Sequence, residues 1–557
     1  MKEPLQIFCK NLGEYITVTG GETVGQIAHR LDGRLGFEPI CAHVNNKNES
    51  LDFEIFHPKA VEFMPVTSPS GSRVYVRSLC MMLYRAIDRV CPGAKLRIEH
   101  SISRGYYCRL SGTDRPVDKD FADVISAEMR RMVALNLPFE LHERLTGDVI
   151  ALFREQGLDD KVNLLETTRS LYTKYYTLDG LSDSYYGVLA SSTGSLDVFA
   201  LEPYHEGLLL LPFDPADILK PCLPIKQEKL YRAFTDYLDF NHIIGVSNVG
   251  ELNRVVERRK TNDLINVAEA LHEKAIARIS DEITRRYHEG GARIVLIAGP
   301  SSSGKTTTTK RLAVQLMTNL LKPQMISLDD YFVNREHTPR DADGDYDYES
   351  LYALDLEQFN NDLNAILRGE EVELPSYNFE TGKRQYKGHK VKLDEGSVLL
   401  IEGIHGLNPE LTAQIAPEMK FMIYVSALTT LSIDDHNWVP TTDNRLLRRI
   451  IRDAKYRGTK PEETIRRWPS VRRGEERWIF PYQENADAMF NSSLIFELGV
   501  MKDYGDELLR RVPNDVPEYA EAYRLRKFMS YFLPIGANLI PPTSLLREFL
   551  GGSSFKY

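Results

Sequence analysis

The chain has little of what redox, zinc or membrane chemistry requires. Its six cysteines (Cys9, Cys41, Cys80, Cys91, Cys108, Cys222) all precede residue 223, and no two form a C-x-x-C pair. That excludes a zinc ribbon and a dithiol motif, and suits small buried hydrophobes in a reducing compartment. No two histidines stand in an H-x-x-x-H spacing. The strongest apolar runs, Leu208 to Leu211 and Val398 to Ile401, are far too short to span a bilayer, and Met1 to Leu12 holds no signal-like run. A cytoplasmic location is the expectation. A net charge of -10 argues against a surface that binds nucleic acid everywhere, while leaving room for a local basic site. Internal repeats and low-complexity tracts are absent as well. With 557 residues, several cores are expected.

What is present is centred on Arg293 to Lys310. Ile294 to Ala298 is a short apolar run of the kind buried on both faces of a sheet, and Gly299-x-x-x-x-Gly304-Lys305-Thr306 follows it. The glycines let successive N–H groups surround a phosphate, and the helix that begins near Lys305 turns its positive end to the same anion. Lys305 is placed to reach the β and γ phosphates, and the Thr306 hydroxyl to bind Mg²⁺. Gly299, Pro300, Ser301, Ser302, Ser303, Gly304, Lys305, Thr306 and Thr307 are therefore the candidate ATP cradle. The competing reading is a serine-rich turn before an ordinary helix; the flanking buried strand and the amphipathic helix argue against it.

Downstream, the strand Gln324 to Leu328 ends in Asp329-Asp330-Tyr331-Phe332, where a parallel α/β sheet places its ligands. Two adjacent acids there read either as a capped turn or as a general base. Tyr346-Asp347, Pro375-Ser376-Tyr377-Asn378-Phe379, Ile401-Glu402-Gly403-Ile404 and the arginine run Arg445 to Asp453 follow in order. A run of arginines is usually a solvated face. These motifs, over Arg293 to about Leu498, resemble those of uridine kinases and phosphoribulokinases. The resemblance implies that Asp329 accepts the proton of a nucleoside 5′-hydroxyl, with Asp330 as the fallback. It further implies that Asp347 holds ribose hydroxyls and that Tyr377 lies against sugar or base. Glu402 would orient the metal through Thr306, and Arg449 and Arg452, in a lid helix, would close on the phosphates. The base-reading residues of uridine kinases do not carry over: Gly382, Thr459 and Arg467 stand at the matching positions, which puts uridine itself in doubt.

Before this domain, residues 1–60 read as strand, strand, helix and further strands, with a capping box at Thr23-x-x-Gln26. They resemble the ubiquitin-like TGS domain, a β-grasp fold. Residues 61–220, through Arg77 to Ile87, Gly93 to Glu99 and Gly105-Tyr-Tyr-Cys, resemble the α+β second module of threonyl-tRNA synthetases. Arg77 and Met81 replace the histidines expected at its hydrolytic site, and neither can serve as a ligand for a borderline metal, so a scaffold without hydrolysis is expected. His100 and His205 are read as surface or satisfied core histidines.

Residues 221–289 are read as a largely helical connector, with helical spacing from Asn262 to Tyr287. Residues 290–500 are read as the P-loop domain, with a mostly parallel sheet flanked by helices, and 501–557 as a helical tail that only packs. The fold class is thus multidomain α/β. Two functions compete: an ATP- and Mg²⁺-dependent nucleoside kinase, and an ATP-dependent RNA-binding or regulatory protein that uses the synthetase-like half to hold tRNA. No N-K-x-D guanine-reading motif follows the P-loop, and the acceptor-side residues Asp329, Asp347 and Tyr377 favour the kinase. A homo-oligomer is compatible with either.

Overall fold

The computed structural model describes residues 4–31, 33–341 and 344–556. Met1 to Glu3 of the amino-terminal segment and residue 557 of the tail lie outside these. Among the described residues no helix is long and apolar enough to cross a membrane.

The P-loop domain is built on a five-stranded, wholly parallel sheet. Its order is Lys322–Ser327, Ser397–Glu402, Ile294–Ala298, Lys420–Ser426 and Ala488–Asn491. Ile294–Ala298 is central and buried along its length. Its alternate residues serve two cores: Val295 and Ile297 join one on one face, Ile294 and Leu296 another on the opposite face. This two-sided burial is why the strand reads as a continuous apolar run. The crossing point beside the central strand opens at the carboxyl ends, where the phosphate loop, Asp329 and Glu402 all emerge.

The amino-terminal unit is a mixed sheet, ordered Glu14–Thr19, Pro4–Cys9, Ala60–Pro65, Pro39–Val44, Lys47–Glu49, with the helix Val24–Arg30 packed on it. The Thr23 hydroxyl accepts from Gln26 N–H while the Gln26 side chain accepts from Thr23 N–H, the reciprocal cap expected from the sequence. Ala60–Pro65 is the middle strand of this sheet and runs parallel to Pro4–Cys9. The unit therefore ends at Pro65 rather than at 60, because removing that strand would split its core. A short strand, Glu54–Ile55, pairs with Glu22–Thr23 beside this sheet.

The second unit sets the helices Pro69–Val90 and Lys119–Leu135 against a four-stranded antiparallel sheet, Ala200–Tyr204, Gly207–Leu211, Gly105–Ser111, Lys95–Ile102. Arg77 and Met81 are both buried on the first helix, and all six cysteines are free and buried. His100 is buried but is not satisfied: neither ring nitrogen has a hydrogen-bond partner, and the ring stacks on Phe234 at 3.7 Å. His205 is exposed and stacks on Tyr231.

Residues 221–289 are not a mere connector. The helix Thr261–His288 buries Ile276 and Ile283 in the same core as Leu312 and Leu316 of the P-loop helix. The tail is likewise part of that core, through Leu525, Phe528, Leu545 and Phe549.

The second unit and the P-loop domain are tied by a buried charge network. Lys161 Nζ lies 2.8 Å from both Asp183 and Asp434, and His436 Nδ1 lies 2.8 Å from Asp183. Burial opposes the Lys161 charge, but the flanking carboxylates outweigh it and hold the ammonium above its ordinary range. Removing one partner of such a cluster leaves buried charge uncompensated. Lys161→Met should cost about 3–5 kcal/mol, measured as a lower denaturant midpoint by circular dichroism; an unchanged midpoint would show that the network carries no stability.

Candidate phosphate and acceptor site

The strand Ile294–Ala298 delivers the chain into the loop Gly299 to Gly304, and the helix Lys305–Thr318 begins at its end. Ser302 and Gly304 have positive φ, +58° and +85°, which curls the backbone around a concavity. Lys305 Nζ donates to Pro300 O at 3.3 Å. The loop is supported from beneath by two arginines of the lid helix Thr441–Tyr456. Arg445 Nε donates to Ser301 O at 2.9 Å and its guanidinium pairs with Glu475, whose carboxylate also accepts from Ser301 N–H at 3.1 Å. Arg448 donates to Ser492 O at 2.8 Å and to Glu497 at 2.5 Å, and reaches Ser302 O. Both side chains are essentially buried.

Of the other two arginines of the run, Arg452 lines the cleft, and Arg449 is partly buried and pairs with Asp453 at 3.4 Å. Arg449 Nη1 donates to the Ser301 hydroxyl at 2.8 Å, and Arg452 is oriented by Asp453 at 2.9 Å. The four arginines therefore divide: Arg445 and Arg448 hold the loop from the buried layer, and Arg449 and Arg452 are partly exposed and share Asp453.

The acids converge on the same place. Glu402 Oε1 accepts from the Thr306 hydroxyl and from the Ser327 hydroxyl, each at 3.3 Å. Burial lifts its carboxyl to about 7 against the pull of Lys305, with Asp329 and Glu548 adding to the rise. Asp329 sits on the short turn Leu328–Tyr331 and is exposed, next to Asp330 at the cleft. The protein walls raise its carboxyl, while Lys305, Arg457 and Arg452 lower it. Its open face lets water solvate the carboxylate, which limits the rise.

Asp330 differs in its partners. It accepts from Tyr377 N–H at 3.2 Å, tying the turn to the hairpin Val372–Asn378 and Lys383–Val391, and it lines a cavity of about 600 Å³ with Thr306, Glu402 and Arg452. Tyr377 is buried among Phe332 and Phe379, with ring centroids 5.5 and 5.0 Å away. Asp347 caps its own turn, accepting from Glu349 N–H at 3.2 Å.

Three features were not read from the sequence. Glu349 is half-buried with an unpartnered carboxylate oxygen, and burial raises it to about 7 despite Arg449. Arg335 fills the space beside Gly382: a Cβ there would lie 2.7 Å from Arg335 Cβ, and Arg335 reaches the Tyr348 hydroxyl at 3.2 Å. The tail, expected only to pack, also touches the loop. Glu548 accepts from the Thr307 hydroxyl at 2.5 Å and from Thr307 N–H at 3.3 Å, and Leu545 packs against Gly304. No local signal marks Glu548, which lies 241 residues from Thr307 in sequence.

Thr306 and Glu402 fit a Mg²⁺ site of the type completed by nucleotide phosphates: a half-buried acid with a raised carboxyl lies within reach of a P-loop hydroxyl. Among the described residues no group of three or more His, Cys, Asp or Glu is arranged to hold a metal unaided.

Comparison with known proteins agrees with this geometry. The model of the phosphoribulokinase/uridine kinase family matches residues 294–495. The chain is 26% identical over 197 residues to a uridine kinase of Deinococcus deserti, covering 35% of this chain and 86% of that protein. It is 28% identical to a uridine kinase of Halobacterium salinarum, covering 34% of this chain and 76% of that one. A threonine–tRNA ligase of Fusobacterium nucleatum is 26% identical over 178 residues, 32% of this chain and 28% of the ligase. A solved structure of a possible uridine kinase from Bacillus stearothermophilus superposes with a TM-score of 0.25 at 20% identity, over 36% of this chain and 89% of that one. The loop, its supporting arginines and the facing carboxylates all lie inside the span, residues 294–495, that matches the phosphoribulokinase/uridine kinase family.

Proposed function

We propose that the protein transfers the γ-phosphoryl group of ATP to a hydroxyl of a small molecule, with the 5′-hydroxyl of a nucleoside as the leading acceptor. The observation that carries this reading is the exposed carboxylate of Asp329, near enough to Lys305, Arg457 and Arg452 for their charges to lower its pKa. A carboxylate there can take the acceptor's proton as the hydroxyl oxygen attacks the γ-phosphorus and the bond to the ADP oxygen breaks. Lys305, Arg449 and Arg452 would offset the charge on the transferring group. Mg²⁺, held by Thr306 and Glu402 together with the phosphates, would supply charge neutralisation. The aromatic wall of Phe332, Tyr348, Tyr377 and Phe379 supports a flat or sugar-like acceptor, with Asp347 as the candidate ribose clamp.

Arg335 packed against Gly382 puts a guanidinium at the acceptor wall, where Gly382 replaces a base-reading residue of uridine kinases. That change favours an acceptor other than uridine, or a broad one. A purely regulatory nucleotide switch has no need of an acceptor wall. The direct experiment is ADP release with a panel of nucleosides and sugars, with the product phosphate monoester detected by ³¹P NMR; no stimulation by any hydroxyl acceptor would overturn the kinase reading.

Asp329→Asn should lower kcat by roughly 10²–10⁴-fold, the usual worth of a positioned base, with ATP affinity little changed. If Asp330→Asn does this instead, the base is the neighbouring residue.

The two pairs of arginines should separate in one set of melting and turnover measurements. Arg452→Ala should leave the melting temperature near that of the wild type and cut turnover by about 10²–10³-fold. Arg448→Met should instead lower stability by about 3–5 kcal/mol, because Glu497 is left buried and unpaired.

Glu402 and Glu349 are both raised to about 7, so each loses its charge as pH falls through that value. The ionised forms are the ones that serve a cation and a guanidinium. The kcat/KM of the free enzyme should therefore fall on the acid side of about pH 7, and Glu402→Gln should flatten that limb while lowering the rate. A wild-type profile that is level from about pH 6 to 8 would count against these roles.

A further inference from the structure

A concavity of about 610 Å³ outside the phosphate site lies between the helix Pro69–Val90, the strand Tyr172–Leu178 and the tail helix Tyr519–Met529. That is within the range of pockets that hold small ligands and cofactors. Its walls are rich in cations, and all but one of the nearby acids, Glu143, are engaged by other cations. Glu521 pairs with Arg73 and Arg524, Glu49 with Lys47, and Asp183 and Asp434 with Lys161. Among the described residues, Arg77 and Lys527 line the cavity without an ion pair, and Lys174, which faces Glu143 across the strand pair, lines it with them.

Arg77 is the most constrained of the three. It is 4% exposed, donates to Val188 O at 3.0 and 3.3 Å, and lies over the Tyr186 ring. Gly187 makes this possible: a Cβ there would lie 2.4 Å from the guanidinium carbon. Desolvation and then the like charges of Lys174, Arg77 and Lys47 press the Lys527 ammonium down to about 8. Like charges gathered in a partly desolvated cavity repel one another, and this arrangement gains free energy when an anion enters. Guanidinium and ammonium donors around one point match phosphate oxygens, and Tyr172 and Tyr523 on the same wall offer faces for a ring.

We propose that this cavity is a second ligand site, which binds a phosphate-bearing molecule of mononucleotide size with its phosphate between Arg77, Lys174 and Lys527. The site is separate from the chemistry at Lys305 and stands whether or not that chemistry is nucleoside phosphorylation. Two sources carry the same ligand chemistry, a free nucleotide and the terminal nucleotide of an RNA strand.

The test follows acetylation of individual lysines in the full-length protein by mass spectrometry. The probes are inorganic phosphate, AMP, UMP and a five-nucleotide RNA. A bound probe should slow labelling of Lys527 and Lys174. The double variant Lys174→Gln/Lys527→Gln removes like charge from the cavity wall, and its folding is checked by circular dichroism. By isothermal titration calorimetry it should bind the probe at least about tenfold more weakly than the wild type, as expected for lost charge-assisted hydrogen bonds, with unchanged ATP turnover. Protection by AMP or UMP assigns the site to free nucleotides. Protection by the RNA alone, weakening steeply with salt, assigns it to an RNA terminus. The proposal is overturned if no probe protects either lysine at millimolar concentration, or if the double variant binds as well as the wild type.

Discussion

The phosphate loop depends on two arginines that never need to touch a phosphate. Loop carbonyls such as Ser301 O and Ser302 O point away from the anion they help enclose, and without donors beneath them the curled backbone would not persist. Arg445 and Arg448 supply those donors, and Glu475 and Glu497 neutralise them in the buried layer. A buried ion pair is weak evidence for net stability, since desolvating two charges offsets much of their attraction. Its value here is geometric: a planar donor with several N–H groups fixes a loop where an apolar residue would only fill space. The same helix carries Arg449 and Arg452, so the support of the loop and the arginine at the cleft belong to one rigid element.

The other units are assembled around that element rather than strung before and after it. The helix Thr261–His288 completes one face of the parallel sheet, and the tail returns across the start of the P-loop helix, bringing Leu545 and Glu548 to Gly304 and Thr307. Lys161, Asp183, Asp434 and His436 join the synthetase-like unit to the P-loop domain through charges that none of the units could bury alone. Tail and synthetase-like unit also share the walls of the cation-lined cavity. A change in occupancy there would act on the helix Tyr519–Met529, whose Phe528 lies in the same core as the lid residues Leu446 and Leu447.

Several features were legible from residues close in sequence, because short-range geometry decides them. The capping box at Thr23 and Gln26, the strand–loop–helix at Gly299 to Thr306 and the lid helix all depend on contacts within a few residues. Others were misread because distant segments decide them. Ala60–Pro65 resembled the start of a new unit, yet it pairs with Pro4–Cys9 across the first sheet. His100 passed for an ordinary histidine, yet its nitrogens have no partners. Residues 221–289 read as a connector because an amphipathic helix shows which face is apolar but not what covers it.

The sequence by itself determined the phosphate loop, the order of the acidic motifs behind it, and the loss of the histidine pair in the amino-terminal half. Each is a matter of residue type and spacing along one stretch of chain. Only the tertiary structure decided which arginines support the loop and which one lines the cleft, that Asp330 is tied to Tyr377 while Asp329 is open, and that Glu548 meets Thr307. It also decided that Arg77, Lys174 and Lys527 share one cavity. The reason is physical: a charge acquires its pKa, its partner and its use from whatever the fold brings within a few ångströms, and for these residues the neighbours come from segments far apart in sequence.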